Sequence, residues 1–148
     1  ILPGMDVLDM GCGSGILSIA ALLLGAKSVS AADIDQLAVK IAHENAALNG
    51  CDDERLTIRC GNVLDDPALA DEIGEKSYDV IVANIVADII KAMASLFARY
   101  LKEDGTLVVS GIISERAEEV TSHLEQHGFS VIELREENDW AAAVLKRA

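Results

Sequence analysis

Short apolar runs alternate with segments of helical period along the chain, which predicts βαβ units and a mostly parallel sheet wrapped by helices. Asp6–Met10 (D-V-L-D-M) reads as a first strand, and Gly15–Leu24 as a nearly all-apolar helix stopped by Gly25. Ser28–Ala32 is a second strand. Asp35 suits the N-cap of a helix over Gln36–Asn49, closed at Asn49-Gly50. Leu56–Gly61 reads as a third strand, Pro67–Ile73 as a short helix and Tyr78–Ala83 as a fourth strand, followed by a helix to about Leu101. Glu103-Asp104-Gly105 predicts a turn before a strand over Thr106–Ser110. Glu115–His127 carries apolar Ala117, Val120 and Leu124 at helical spacing, with Gly128 as its C-cap. Ser130–Arg135 and Trp140–Leu145 are the last strands. Their short polar link, Glu136–Asp139, predicts an antiparallel hairpin. The fold class expected is therefore α/β, a doubly wound seven-stranded sheet with a C-terminal antiparallel hairpin.

Composition narrows this. At 148 residues and 51% apolar the chain makes one domain with a real core, and at 3% aromatic that core is aliphatic. Such a core suits strands buried on both faces. The net charge of −13 has no basic cluster to offset it. It disfavours nucleic acid as a direct partner and is compatible with a cationic one. Cys12, Cys51 and Cys60 are odd in number and lack metal-ligand spacing, which reads as a reducing, cytoplasmic chain. No signal peptide and no apolar run of transmembrane length is visible, so no membrane role is expected. A monomer is expected. Ile1-Leu2-Pro3-Gly4 is not a natural translation start, and the chain reads as part of something longer.

The candidate chemistry begins after the first strand, in Asp9-Met10-Gly11-Cys12-Gly13-Ser14-Gly15. Glycines let a backbone turn sharply and let a ligand approach closely. In a doubly wound sheet this turn lies at the carboxyl edge, where ligands bind. A dinucleotide site would read G-x-G-x-x-G, whereas here the spacing is G-x-G-x-G and Ile16 holds the third position. Asp9 adds a carboxylate that repels a pyrophosphate. A phosphate-free cation such as S-adenosylmethionine fits Gly11, Gly13, Gly15 and Asp9 better.

Asp33 ends the second strand, eighteen residues beyond Gly15, where an acid accepts from ribose hydroxyls. Asp35 competes for that role, and its fit as a helix cap favours Asp33. Ile34 is placed to cover the adenine. Asn62, after the third strand, is placed either to meet the adenine amino group or simply to shape a turn.

The sequence V-L-D-M-G-C-G-S-G, then A-D-I-D, then Y-D-V-I-V-A-N resembles the class I methyltransferases. Asn84-Ile85-Val86-Ala87 with Asp88-Ile89-Ile90, Leu107–Ile113 and Asp139-Trp140-Ala141 resemble the PrmA family, which methylates large-subunit ribosomal protein eleven. That resemblance implies methylation of protein amines, both lysine side chains and an N-terminal α-amino group. The family also has an N-terminal recognition domain, a linker and a Thr-containing segment ahead of the first strand. None of these is in the 148 residues, so cofactor binding with slow transfer is expected of this portion alone.

Asn84 would sit beside the methyl donor, its carbonyl accepting an N–H from the incoming amine. Related enzymes acting on planar nitrogens have a stacking ring there, while Ile85, Val86 and Ala87 offer none, which favours a tetrahedral amine. Asn84 alternatively caps the next helix. The transfer is a direct displacement that needs alignment but no metal. His123 and His127, four apart, read as surface histidines, because H-L-E-Q-H misplaces the glutamate of a zinc motif. Cys12 reads as a small buried thiol. A small-molecule methyltransferase and a non-catalytic cofactor-binding module are the alternatives.

Overall fold

A computed structural model describes residues 3–148; the reading of the opening Ile1-Leu2 lies outside them. Seven strands form one sheet in the order β3-β2-β1-β4-β5-β7-β6. In chain order they are β1 (Asp6–Met10), β2 (Ser28–Asp33), β3 (Leu56–Cys60), β4 (Tyr78–Asn84), β5 (Leu101–Ile113), β6 (Phe129–Glu137) and β7 (Trp140–Arg147). The helices are α1 (Ile16–Leu23), α2 (Gln36–Leu48), α3 (Pro67–Ile73), α4 (Ala87–Ala92), α5 (Ala94–Tyr100) and α6 (Ala117–Gln126).

From β1 the chain steps outward to β2 and β3, then returns to place β4 on the other side of β1, with all these pairings parallel. The strand order thus reverses between β1 and β4, which opens a crevice at their carboxyl ends. Alternating β1 residues serve two cores. Leu8 and Met10 join Ile81, Ala83, Leu107 and helices α3 to α6, while Val7 packs with Val29, Val80 and helices α1 and α2. Burial on both faces explains the uninterrupted apolar character of these strands.

The helix starts follow the local chemistry. Asp35 caps α2, its Oδ1 accepting from the Leu37 amide at 2.9 Å. Asp66 caps α3 in the same way through the Leu69 amide at 3.1 Å. Gly15 opens α1 in the left-handed region, at φ +83°.

Three segments differ from the sequence expectation. The helix expected to run from β4 to Leu101 is two helices, because Met93 donates to Ile90 as well as Ile89 and tightens the turn. The turn expected at Glu103–Gly105 lies inside β5 as a bulge. Tyr78 pairs with Leu101 and Val80 with Thr106, and Lys102 Nζ is drawn to Asp79 at 3.2 Å. The α6 segment begins with a 3-10 turn, Ser114–Arg116, rather than at Glu115. The terminal hairpin forms as expected with a tighter turn, Asn138-Asp139 at φ +50° and +68°, the left-handed pair that suits a two-residue hairpin.

Candidate functional site

The carboxyl ends of β1 to β4 surround a cavity of about 380 Å³. Gly11, Asp33, Ile34, Asn62 and Asn84 all reach its wall. Of the other expected positions, Gly13 touches it through Asp33, while Asp9 and Gly15 stand behind the loop.

The glycines do separate jobs. A Cβ on Gly11, at φ +75°, would fall 2.4 Å from Ile85 Cγ2, so this glycine lets the loop lie against the segment after β4. Gly15 lets α1 approach α2, since a Cβ there would meet Ala42 Cβ at 3.0 Å. Gly13 faces open space, and its N–H donates to Asp33 Oδ2 at 2.9 Å. A pyrophosphate would need that amide free; here the loop presents a carboxylate.

Asp33 also accepts from the Asp35 amide through Oδ1 at 2.9 Å. Each carboxylate oxygen retains lone-pair capacity for a ligand hydroxyl. Asp35 is taken up by its helix cap. Ile34 is 71% exposed, an apolar side chain held in solvent on the cavity wall. Asn62 is engaged in its own turn: Oδ1 accepts from the Leu64 amide, and Nδ2 donates to Asp65, both at 3.0 Å.

Asp9 is buried at 1% exposure beneath the loop. Ser18 donates to its Oδ2 at 2.7 Å, while Oδ1 has no partner among the described residues. Burial pushes its carboxyl up to about 6, against the lowering effect of the Ser18 bond, and Asp33 adds like-charge repulsion. Cys12, in the same loop, is pushed up to about 12 by burial and by both carboxylates, so it stays a neutral thiol.

Asn84 ends β4 with its side chain exposed. Val86, not Asn84, is the N-cap position of α4, and no side chain bonds there, so Asn84 does not cap that helix. Its carboxamide has no hydrogen-bond partner among the described residues. Sequence reasoning missed Gly111, which adopts φ +77° and whose Cβ would fall 2.7 Å from Asn84 Oδ1. An isolated glycine within the apolar run L-V-V-S-G-I-I is the signal for such a close approach. It sits at a register shift between β5 and β7. Beyond Asn84, a second and more open groove of about 680 Å³ runs toward the β6–β7 hairpin, and Asn84 lines both spaces.

His123 and His127 lie away from this edge, their rings 4.6 Å apart between centroids. His123 Nε2 lies 3.1 Å from the Lys91 carbonyl oxygen and His127 Nδ1 2.9 Å from that of His123, so each ring already has a backbone partner.

Residues 1–148 match the family model described as ribosomal protein L11 methyltransferase (PrmA). The chain is 45% identical to the ribosomal protein L11 methyltransferase of Acetivibrio thermocellus, over 99% of this chain and 44% of that protein. With the enzyme of the same name from Agathobacter rectalis it is 43% identical, over 90% of this chain and 42% of that protein. It therefore spans less than half the length of these curated relatives. The solved structure of a ribosomal protein L11 methylase from Lactobacillus delbrueckii subsp. bulgaricus matches with a TM-score of 0.87 and 33% identity, covering 99% of this chain and 72% of that chain. The solved structure described as a putative SAM-dependent methyltransferase from Streptococcus mutans matches at TM-score 0.81 and 15% identity, over 97% of this chain and 45% of that chain, a likeness of fold alone.

Proposed function

The chain belongs to the ribosomal protein L11 methyltransferase family, and from that premise we propose that it is the catalytic domain of a protein N-methyltransferase. It would use S-adenosylmethionine to methylate lysine side chains and the N-terminal amine of a large-subunit ribosomal protein. The observation that carries this reading is Asn84, an unpartnered carboxamide standing where the cavity under the glycine loop meets the groove behind it.

The residues present fit the cofactor. Gly11 and Gly13 leave the loop without side chains on the ligand side. Asp33 offers two carboxylate oxygens for ribose hydroxyls, and Ile34 offers apolar cover for a base. Asn62 contributes its turn rather than a free amide. Asp9 keeps an acidic group beneath the loop with one oxygen unpartnered, and its negative form favours a cationic ligand. Bound there, S-adenosylmethionine supplies an electrophilic methyl group.

The chain's own residues must position a neutral amine. Removing the proton from a lysine at pH 7 costs about 4.6 kcal/mol, and from an α-amino group about 1 kcal/mol, given reference pKa values near 10.4 and 7.7–8.0. A carboxylate at the acceptor position would oppose that loss. Asn84 accepts an N–H without adding charge. Ile85 and Val86 flank it with aliphatic surface, which suits a tetrahedral nitrogen and helps exclude water.

The acidity of the chain, −13 overall, supports a basic protein as partner rather than nucleic acid, and like-charge repulsion supports a monomer. Three free cysteines support the cytoplasm as its compartment. No helix among the described residues is long and apolar enough to cross a membrane.

The test pairs binding with turnover. Calorimetry is expected to give binding of S-adenosylmethionine and S-adenosylhomocysteine and none of NAD; comparable NAD affinity overturns the reading. In the active full-length parent, Asn84→Ala is expected to slow single-turnover methylation by roughly a hundredfold, the scale of a misaligned reactant, while cofactor affinity stays within about twofold. An unchanged rate in a folded variant removes Asn84 from the chemistry.

A further inference from the structure

The helix that follows Asn84 is gripped along one side by charge. α4 is six residues long, and its N-cap position, Val86, forms no side-chain bond, so little in its own sequence fixes where it sits. Val86, Ile89 and the adjoining Met93 face the cavity under the glycine loop. Ala87 and Ile90 share a core with Ala117, Val120 and Leu124 of α6. Apolar burial is non-directional: it holds the two helices together without fixing how one slides or turns on the other. The remaining face of α4 supplies that constraint. Arg116 Nη2 donates to Asp88 Oδ1 at 2.6 Å and to Glu119 Oε2 at 2.7 Å, and its Nε donates to Glu119 Oε1 at 3.2 Å. Lys91 Nζ donates to Glu119 Oε2 at 2.7 Å, and the Lys91 carbonyl oxygen lies 3.1 Å from His123 Nε2. Arg116, Glu119 and His123 thus form a row at helical spacing that meets Asp88 and Lys91, neighbours on one face of α4. Arg116 and Lys91 pull the Glu119 carboxyl down to about 2, so its charge persists at neutral pH.

Exposed pairs of this kind contribute little to fold stability, and the Asp88 side chain is 75% exposed. Their place relative to Asn84 gives them a different consequence. Arg116 follows shortly after Gly111, where a Cβ would fall 2.7 Å from Asn84 Oδ1 and 3.4 Å from the Ile85 nitrogen. The end of β5 therefore meets the other chain at Asn84-Ile85, and the 3-10 turn after it grips that chain again at Asp88. We propose that this clamp aligns α4, and through it Asn84, for methyl transfer, with Arg116 as the positioning residue at its centre. The inference rests on the methyltransferase reading above and deepens it. Asn84 joins α4 through Ile85 and Val86 alone, so a slide of the helix is passed along a short backbone to the carboxamide. A misplacement of about 1 Å costs on the order of a hundredfold in rate, so a clamp that adds little stability still governs turnover.

Single-turnover methylation by the full-length parent at saturating substrate gives the first readout. Arg116→Ala is expected to slow it roughly tenfold. Arg116→Lys, which keeps the charge without the fork, is expected to stay within about threefold of the parent. Asp88→Asn alters an exposed carboxylate and is expected to slow transfer about threefold. The double variant Arg116→Ala with Asp88→Asn is expected to match Arg116→Ala within about twofold, because both changes open one clamp. Arg99→Ala breaks a comparable exposed pair, with Asp71 at 2.9 Å and away from α4, and is expected to leave the rate within about twofold. The second readout needs no turnover. In the chain loaded with S-adenosylhomocysteine, the side-chain amide signal of Asn84 in a proton–nitrogen spectrum, assigned by its loss in Asn84→Ala, is expected to move in Arg116→Ala and Asp88→Asn and to stay in place in Arg99→Ala. The parental rate in Asp88→Asn or in a folded Arg116→Ala protein, an Asn84 signal unmoved in both, or losses that multiply in the double variant each overturn the inference. A full-length parent that transfers no methyl group defeats the methyltransferase reading itself, whereas an unmoved signal in an active enzyme defeats the clamp alone.

Discussion

Asp9→Asn should make this protein more stable at alkaline pH while making it a poorer binder of a cationic cofactor. Asp9 is 1% exposed, has one oxygen without a partner and has no cation beside it. Burial raises its carboxyl from the ordinary 3.8 to about 6. Folding therefore favours the protonated form. The stability this confers is complete below pH 3.8 and is lost as pH rises through about 6. A shift of roughly two pH units corresponds to about 3 kcal/mol of fold stability lost by pH 8. Cys12 stays protonated throughout that window, and Asp33 is present in both proteins, so neither obscures the comparison.

Asparagine keeps an oxygen for the Ser18 hydroxyl and has no charge to lose. Its amide N–H groups at the unpartnered position add a penalty of about 1–3 kcal/mol, but that penalty is the same at every pH. The informative quantity is thus the change with pH in the difference of melting temperature between variant and parent. For a chain of this size 1 kcal/mol moves Tm by about 2–4 °C. The difference should move in favour of the variant by roughly 5–10 °C between pH 4 and pH 8. Melts followed by circular dichroism at four pH values measure it, and calorimetry at pH 8 should find weaker S-adenosylmethionine binding by the variant. A melting difference that is flat with pH refutes the buried, uncompensated charge.

Two further outcomes follow from the geometry around Asn84 and Asp33. Gly111→Ala forces a side chain into the left-handed region and against Asn84 Oδ1; it should lower stability by about 2 kcal/mol and depress turnover together. Normal turnover in a folded Gly111→Ala protein would mean that Asn84 does not depend on that bulge. Asp33→Ala should weaken cofactor binding at least tenfold, since each charge-assisted bond contributes about 1.5–3 kcal/mol. Asp35→Ala should instead cost about 1 kcal/mol of stability through the lost cap of α2, with little change in binding; the reverse pattern in calorimetry would exchange their roles.

Much of this architecture was legible because local signals and long-range packing agree. β1, α3 and the start of α2 lie where apolar runs, Pro67 and the cap Asp35 put them, whereas Asp66, which reads as a solvated loop charge in the sequence, caps α3. The misplaced elements are those in which a tertiary contact overrides a local signal. Glu103-Asp104-Gly105 has the composition of a turn, but Lys102 is held by Asp79 and the segment remains within β5 as a bulge. Ala87–Tyr100 has one continuous helical period, and only the doubled bond at Met93 divides it. Site positions on the cavity wall were accessible to sequence reasoning because a doubly wound sheet fixes where its strand ends point. The roles of Asp9 and Asn62 were less so. Whether an acid beside a glycine loop faces ligand or core, and whether a turn asparagine has a free amide, depends on side-chain direction.

Several residues that depart from the rules of stable folding lie at one edge of the sheet. Asp9 is a buried acid with an unpartnered oxygen, Ile34 an exposed isoleucine, Asn84 an unpartnered amide and Gly111 a left-handed residue within a strand. Each alone has a bland explanation. Together they lie on or beside one crevice, at the point where the strand order reverses, while Asp6, Ser28 and Asp79 at the amino-terminal edge have polar partners. There Ser28 and the Asp6 amide donate to carboxylates and Lys102 pairs with Asp79. Natural sequences keep such departures where function requires them and compensate elsewhere. Here the compensation is the pair of aliphatic cores that β1 bridges. That grouping supports the carboxyl edge as the site of the proposed chemistry, and it makes one demand: substitutions such as Asp9→Asn that relax a departure should gain stability in the free protein above about pH 6 and lose affinity for the ligand. A departure whose removal gains stability without functional loss would belong to the fold's history and not to its site.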